Sequence, residues 1–112
     1  MFMKHNKYID YLIDNLYEID ERPEDVEWIM KEGIWLKKYS TSRYKMCDLI
    51  LFYYPEFERI TLIEVKSNRK KRDKAKIQLD SSERFVRNVL KRYEPITKKI
   101  AYINGKYDIE RD

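Results

Sequence analysis

The sequence predicts a single α/β domain in which a mixed sheet of four or five strands is flanked by helices. Three observations favour this fold class. The chain has 112 residues, a length that suits one small domain. Apolar residues make up 43% and charged residues 39%, a mixture that can bury a core and still present a charged surface. Two apolar runs, residues 47–54 and 60–66, lack the alternation of half-exposed strands and are typical of strands covered on both faces.

The first predicted element is an amphipathic helix over residues 6–19. Apolar side chains recur there at the spacing of one helix face, namely Ile9, Leu12, Ile13 and Leu16. This helix lies outside the pattern formed by the other elements. We therefore expect an N-terminal helical extension, residues 1–22, whose apolar face is a candidate homodimer interface.

A second, short helix is predicted from Pro23 to Gly33. Proline is favoured at the first helical position, the two acidic residues after it suit the first turn, and glycine commonly ends a helix. Residues 34–38 then predict a strand, and the polar residues 40–43 predict a loop.

The two apolar runs predict neighbouring strands, since Pro55 and the charged residues after it interrupt them. The connection is short, which favours antiparallel pairing of residues 47–54 with residues 60–66. A basic loop follows, and Asp73 is placed to cap a long helix that runs to about Tyr93.

The last predicted element is a hairpin in which residues 99–103 and 106–110 flank the pair Asn104-Gly105, the strongest two-residue hairpin signal. The whole chain then forms one domain, divided into the extension (1–22), a core (23–103) and a terminal hairpin strand (104–112).

The composition excludes several classes of chemistry. Cys47 is the single cysteine, so neither an intrachain disulfide nor a cysteine-based zinc site is expected. The single histidine, His5, lies where a frayed terminus is expected, which argues against zinc chemistry and against a histidine base. No apolar run approaches the roughly 20 residues of a membrane span, and the N-terminus lacks the apolar stretch of a signal peptide, so we expect an intracellular, cytoplasmic protein. Carboxylates, lysines and arginines remain, and they suit hard cations and phosphate groups.

Charge is distributed unevenly along the chain. Residues 1–35 carry four basic and nine acidic side chains, a net of −5, whereas residues 66–92 carry eleven basic and three acidic ones, a net of +8. A basic face on a chain whose total charge is +4 suits a polyanionic partner. The alternative is a solvated charged surface of the kind common in heat-stable proteins.

Three charged residues occupy the ends of the paired apolar strands. Asp48 begins the first strand, Glu64 and Lys66 share a face near the end of the second, and antiparallel pairing brings all three together. Two carboxylates in apolar segments are costly unless they are compensated. A divalent cation, Mg²⁺ or Mn²⁺, held by Asp48, Glu64 and the Val65 carbonyl would compensate them and would activate water for phosphodiester hydrolysis beside Lys66. The alternative is an ion pair between Glu64 and Lys66, with Asp48 capping a strand.

Basic residues surround this predicted site in the sequence and are candidates for binding the DNA backbone. They are Arg43, Lys45, Arg69, Lys70, Lys71, Arg72 and Lys74. The alternative is again a solvated surface.

Cys47-Asp48, the run ITLIEVKS at residues 60–67, the basic loop and the long helix together resemble the PD-(D/E)XK nuclease superfamily, and most nearly the archaeal Holliday junction resolvases and related small nucleases. The resemblance covers residues 23–103. It implies a restriction-endonuclease-like core of helix, three antiparallel strands, helix and strand. It also implies that Asp48 and Glu64 bind the metal and that Lys66 is the catalytic lysine.

The chain departs from this family at three places. Cys47 stands where a proline is frequent. The family's glutamate before the first strand has three acidic candidates, which the sequence leaves open: Glu24, Asp25 and Glu27. Some branches carry a glutamine and, four residues later, a tyrosine on the helix after the lysine. Gln78 fits the first position, but Ser82 occupies the second, so the alternative for Gln78 is a plain helix surface residue.

The resemblance and the residues together predict a metal-dependent endo- or exodeoxyribonuclease. Branched junctions, flaps, ends and plain duplex all need the same hydrolytic core, so each is a candidate substrate. The alternatives are a catalytically inactive nucleic-acid-binding or assembly protein on the same fold, and a ribonuclease on the same scaffold.

Overall fold

The computed structural model describes residues 5–31, 44–103 and 107–111, with the backbone alone at residues 107–110. The elements in chain order are α1 (His5–Asp14), β1 (Val26–Lys31), β2 (Leu49–Tyr53), β3 (Ile60–Lys66), α2 (Arg72–Asn88), β4 (Ile96–Ile103) and β5 (Tyr107–Arg111). None of the helices within these ranges is long and apolar enough to cross a membrane.

The five strands form one sheet in the order β1-β2-β3-β4-β5. Neighbouring strands run antiparallel except β3 and β4, which are parallel because α2 connects them. The prediction of an α/β fold with a mixed sheet is confirmed. So is the terminal hairpin, because β4 pairs with β5 antiparallel.

Both faces of the sheet are covered. On one face, alternate residues of β2 and β3 pack under α2, and Ile50 and Leu62 belong to the same hydrophobic cluster as Leu79. On the other face they pack under α1, and Leu51 and Ile63 belong to the same hydrophobic cluster as that helix. Every residue of β2 is buried, as expected for an apolar run without alternation. Leu49 pairs with Ile63, which sets position 48 opposite position 64.

The second helix predicted from Pro23 is wrong. The proline opens only a single 3-10 turn, Pro23–Asp25, and the chain continues directly into β1. Proline and acidic residues suit a first helical turn, but Val26, Trp28 and Ile29 favour an extended chain that pairs with β2. Tertiary pairing therefore overrides the helix signal. The predicted strand 34–38 and loop 40–43 lie outside the described residues.

The predicted N-terminal helix is present, but it ends at Asp14 and is followed by a 3-10 turn, Leu16–Ile19. Its apolar face packs on this chain's own sheet, where Ile9 is 5% and Leu12 is 0% exposed. The segment is therefore part of the core, and its buried face is not available as the homodimer interface that the sequence suggested.

A buried ion pair fixes this helical segment to the sheet. The Lys99 ammonium, 2% exposed, contacts the fully buried Glu21 carboxylate and donates to the Ile19 carbonyl at 2.6 Å. The same carboxylate accepts hydrogen bonds from three more side chains on the sheet and its margin, those of Tyr53, Arg59 and Thr61. Burial and the hydrogen bond to the Glu21 carboxylate raise the pKa of Tyr53.

We expect Lys99→Met to lower the free energy of unfolding by about 3–5 kcal/mol, because it leaves the Glu21 carboxylate without its buried ammonium partner and with only the partly exposed Arg59 as a cation. The measurement is urea denaturation at neutral pH. Lys98→Met is the matched control. Lys98 immediately precedes Lys99 on β4. It faces α2 and pairs with Asp80 at 2.7 Å, nearer the surface. Its loss should cost under about 1 kcal/mol, and equal losses for both variants would contradict the prediction.

Candidate active site

Two carboxyl groups meet at one end of the sheet, where β2 begins and β3 ends. Asp48 is 3% and Glu64 is 1% exposed. The Asp48 backbone N–H donates to Glu64 Oε1 at 3.0 Å, and the Val65 backbone N–H donates to Asp48 Oδ2 at 2.7 Å. The register of β2 against β3 therefore brings the two carboxylates together, as the sequence predicted.

The third predicted residue joins them. Lys66 Nζ lies 3.0 Å from Glu64 Oε2 and its side chain is 16% exposed. Burial, the charge of Asp48 and a hydrogen bond between the two carboxyl groups raise the pKa of Glu64 to about 9, although Lys66 opposes the shift. The direction of this shift follows from burial of two carboxyl groups side by side, which one lysine does not offset.

His5 also reaches this site, and the expectation of a frayed terminus at this residue is wrong. Its Nε2 atom lies 3.0 Å from Asp48 Oδ1, and its side chain is 46% exposed. His5 is the first residue of α1, one helical turn before the buried Ile9. Extending the apolar face of the predicted helix by four residues toward the N-terminus would have placed His5 on the face that meets the sheet.

The paired carboxylates fit a hard cation whose coordination is completed by water and phosphate oxygens. Each of the four carboxylate oxygens lies within hydrogen-bond or ion-pair distance of a polar group, and a carboxylate oxygen has a second lone pair. Among the described residues, no group of three or more His, Cys, Asp or Glu side chains suits a metal ion. Mg²⁺ is commonly bound by one or two carboxylates together with substrate phosphates, so the donor set suits such an open site.

Two clefts open on either side of Lys66. The first, which we name the α2 cleft, has a volume of about 670 Å³ and is lined by Tyr44, Lys45, Lys66, Lys74, Ile77 and Gln78. The second, the α1 cleft, has a volume of about 480 Å³ and is lined by His5, Val65, Lys66, Ser67, Asn68 and Lys71. The two carboxyl groups line neither cleft themselves; Lys66, which contacts Glu64, borders both clefts, and His5, which contacts Asp48, borders the α1 cleft.

The predicted backbone-binding residues surround these clefts to different degrees. Lys45 and Lys74 border the α2 cleft, and Lys71 borders the α1 cleft. Three more lie in the turn Arg69–Lys71 or at the start of α2. Lys70 and Arg72 are exposed there, and the Arg69 guanidinium lies 4.9 Å from the centre of the Tyr102 ring. Arg43 lies outside the described residues.

The acidic candidates before β1 do not reach the site. Glu24 accepts hydrogen bonds from Tyr17 at 2.5 Å and from Arg22 at 2.8 Å, and these contacts lower its pKa to about 2. The Asp25 carbonyl accepts from the Tyr54 N–H, at the end of β2 away from Asp48. A five-residue strand spans roughly 17 Å, so this end of the sheet is remote from the carboxylates. The exposed Glu27 lies on β1 at the same remote end of the sheet.

Two serines of α2 hold the segment that leads into Asp48. Ser82 Oγ accepts from the Cys47 N–H at 2.7 Å and donates to the Gln78 carbonyl at 2.7 Å. Ser81 Oγ accepts from the Lys45 N–H at 2.8 Å. In the sequence, Ser82 is identified only as a departure from a family pattern. The pair of serines within an otherwise regular helix indicates this role, because their hydroxyls can hydrogen-bond to a neighbouring backbone segment.

Glu64→Gln tests whether burial beside Asp48 raises the pKa of Glu64. The folded-state pKa of Glu64 lies above its ordinary value of 4.5. Its contribution to stability is therefore fully present below about pH 4.5 and is lost as the pH rises toward 9, by at most about 1.4 kcal/mol per pH unit. In metal-free protein we expect the unfolding free energy of Glu64→Gln, relative to wild type, to rise steadily between pH 5 and pH 9.

The measurement is urea denaturation in EDTA at several pH values. Glu56→Gln changes an exposed glutamate and controls for the loss of one carboxylate; its difference from wild type should stay constant over the same range. A constant difference for Glu64→Gln as well would show that the Glu64 pKa is not raised.

Comparison of the chain with protein-family models, with curated proteins and with solved structures finds no match. The features of the molecule that bear on function are therefore the geometry of Asp48, Glu64, Lys66 and His5 and the two clefts beside them.

Proposed function

We propose that this protein is a Mg²⁺- or Mn²⁺-dependent deoxyribonuclease that hydrolyses phosphodiester bonds. The observation that carries the proposal is the pair of buried carboxyl groups, Asp48 and Glu64, in contact with each other and with Lys66. Two carboxylates in contact are mutually repulsive unless one is protonated or a cation lies between them. Lys66 and His5, which contact the pair, line two clefts with basic borders, and this favours a role with an anionic substrate over a purely structural one.

The order of the elements supports a restriction-endonuclease-like domain. The PD-(D/E)XK resemblance implies a helix, three antiparallel strands, a helix and a further strand. The helix that the resemblance places after Pro23 is absent, because that segment forms β1. With α1, which lies outside residues 23–103, in its place, the chain has this order in α1, β1 to β3, α2 and β4. The fold alone does not fix a function, so the proposal depends on the carboxylates and not on the topology.

Each residue of the site has a part in the proposed reaction. A bound divalent cation supplies polarisation of a phosphate oxygen and a lower pKa of coordinated water. Asp48 and Glu64 hold the cation, with the Val65 carbonyl at the margin of the α1 cleft as a third oxygen donor. Lys66 donates to the attacking water or to the phosphate oxygens, where charge develops in the transition state. His5, hydrogen-bonded to Asp48, fixes the orientation of that carboxylate.

The basic residues beside the site suit the flanking phosphates of a DNA strand. Lys74 lines the α2 cleft, Lys71 lines the α1 cleft, and Lys66 lines both. A strand that follows both clefts therefore passes Lys66, beside the carboxyl groups, and meets positive charge in each cleft.

We expect metal-dependent cleavage of DNA by the wild-type chain and a loss of at least about 100-fold in Glu64→Gln and in Lys66→Met. The first variant loses a cation ligand, and the second loses the donor to the reacting phosphate. Labelled single-stranded, duplex, flap and four-way-junction DNA are incubated with Mg²⁺, Mn²⁺ or EDTA, and matched RNA is included as a competitor.

Glu56→Gln is the matched control and should cleave as wild type does. Mn²⁺ binding is followed separately by paramagnetic broadening of the Asp48 and Val65 amide signals, which Glu64→Gln should weaken and Lys66→Met should preserve. Equal cleavage by all proteins would indicate a contaminating nuclease. Tight DNA binding that survives EDTA, without cleavage in any metal, would refute the nuclease and favour a binding protein.

Salt dependence tests the contribution of the basic turn. For duplex DNA, we expect Lys70→Gln and Lys71→Gln each to reduce the slope of log affinity against log salt by about 0.9, the contribution of one phosphate contact. Fluorescence anisotropy in EDTA measures the slope. Lys91→Gln is the control, because Lys91 lies beyond the end of α2, about 25 Å from its start. A reduction as large at Lys91 would mean that binding is spread over the whole basic surface.

A further inference from the structure

We infer that the α2 cleft binds one unpaired nucleobase of the substrate strand, next to the phosphate that Lys66 contacts. The inference deepens the proposed function and rests on it in one respect: the phosphate beside this base is the one that is hydrolysed. The expected substrate is thus DNA with an unpaired or readily unpaired nucleotide at the cleavage site.

The cleft has the size and the walls of a small-molecule site. Its volume of about 670 Å³ lies within the roughly 300–1,000 Å³ that is typical of ligand pockets. One wall belongs to α2, where Lys74, Ile77 and Gln78 stand at i, i+3 and i+4 and so share a face. The other wall is the segment before β2, which contributes Tyr44 and Lys45.

The lining combines apolar and cationic groups in a manner that fits a nucleotide. Ile77 is 53% exposed although it is a large apolar residue on a regular helix. The half-buried Tyr44 ring packs edge-on against Phe85, with the ring centres 5.5 Å apart. Such surfaces are suited to the flat, weakly polar face of a base. Lys66 and Lys74 supply the positive charge that a phosphate requires.

Gln78 adds a polar group that is not satisfied within the fold. Its Oε1 atom is buried and has no hydrogen-bond partner among the described residues. A buried acceptor without a donor is unfavourable, and rotation of the side chain toward the cleft would let it meet an amino or ring N–H group of a base. A base edge offers such donors, whereas a phosphate or a sugar-phosphate backbone does not.

A base that is stacked and paired within a duplex cannot enter a recess between a helix and a loop. It must first leave the stack, at a cost of a few kcal/mol that is least for a base that is already unpaired. The inference therefore favours single strands, flaps and frayed ends over plain duplex as substrates.

The experiment titrates the ¹⁵N-labelled full chain in EDTA with deoxyadenosine monophosphate and follows the backbone amide signals. We expect saturable shifts at residues that line the α2 cleft, namely Tyr44, Lys45, Lys74, Ile77 and Gln78. 2-Deoxyribose 5-phosphate and inorganic phosphate are the base-free probes and should bind at least about fivefold more weakly, because they lack the stacking contribution.

Two pairs of variants locate the binding site. Ile77→Asp places a negative charge in the cleft, which repels the phosphate, and should weaken binding at least about tenfold. Val89→Asp is its control and should have no effect, because it changes an apolar residue of similar exposure, 41%, directly after α2. Lys74→Ala should weaken binding about tenfold by loss of a charged contact to phosphate. Arg84→Ala, ten residues along α2 and about 15 Å away, should not.

Equal affinity for the nucleotide and the base-free probes would overturn the inference, as would shifts outside the cleft or binding that the cleft variants leave unchanged. The test is independent of catalysis, since no metal is present. Nucleotide binding in the cleft by a chain that never cleaves DNA would sink the proposed function alone. Metal-dependent cleavage without nucleotide binding in the cleft would sink this inference alone.

Discussion

Asp48 and Glu64 are buried in contact with each other at a point where neither β2 nor β3 needs a charged side chain for packing. Removing an ionised carboxylate from water is costly, and the cost grows when a second one lies beside it. Backbone N–H groups, His5 and Lys66 offset part of it. The raised pKa of Glu64 shows that the compensation is incomplete. The site therefore favours binding of further positive charge. The hydrogen bonds and the ion pair at this end of the sheet follow from the need to compensate two buried carboxyl groups.

A second buried carboxylate in the same chain shows what full compensation looks like. Glu21 is as deeply buried as Glu64, but it contacts the ammonium of Lys99 and the guanidinium of Arg59, and hydroxyl groups donate to it as well. Its described contacts are all with cationic or hydroxyl donor groups. The contrast separates a carboxylate whose charge is balanced by the fold from a pair whose charge is only partly balanced. The residues that contact this pair, His5 and Lys66, line the clefts.

Local patterns in the sequence predicted the parts of this structure that depend on neighbouring residues. Apolar runs without alternation predicted β2 and β3, and the short connection at Pro55 predicted their register closely enough to bring Asp48 to Glu64. The failures concern long-range packing. The segment after Pro23 has helix-start signals, yet it pairs with β2 as a strand. His5 reaches Asp48 across 43 positions of sequence, a contact that no local pattern encodes. The restriction-endonuclease-like identity stays a prediction.

The helices that cover the sheet also fix the geometry of the site. Ser82 of α2 holds the backbone at Cys47, and His5 of α1 holds the Asp48 side chain from the other face. Asp48 is thus positioned by both layers that bury the sheet. A substitution that shifts either helix by a fraction of an ångström changes the distance between the carboxylates, although it touches neither of them. Stability and site geometry are therefore coupled in this small domain. The coupling follows from placing a charged pair where the two hydrophobic clusters meet the end of the sheet.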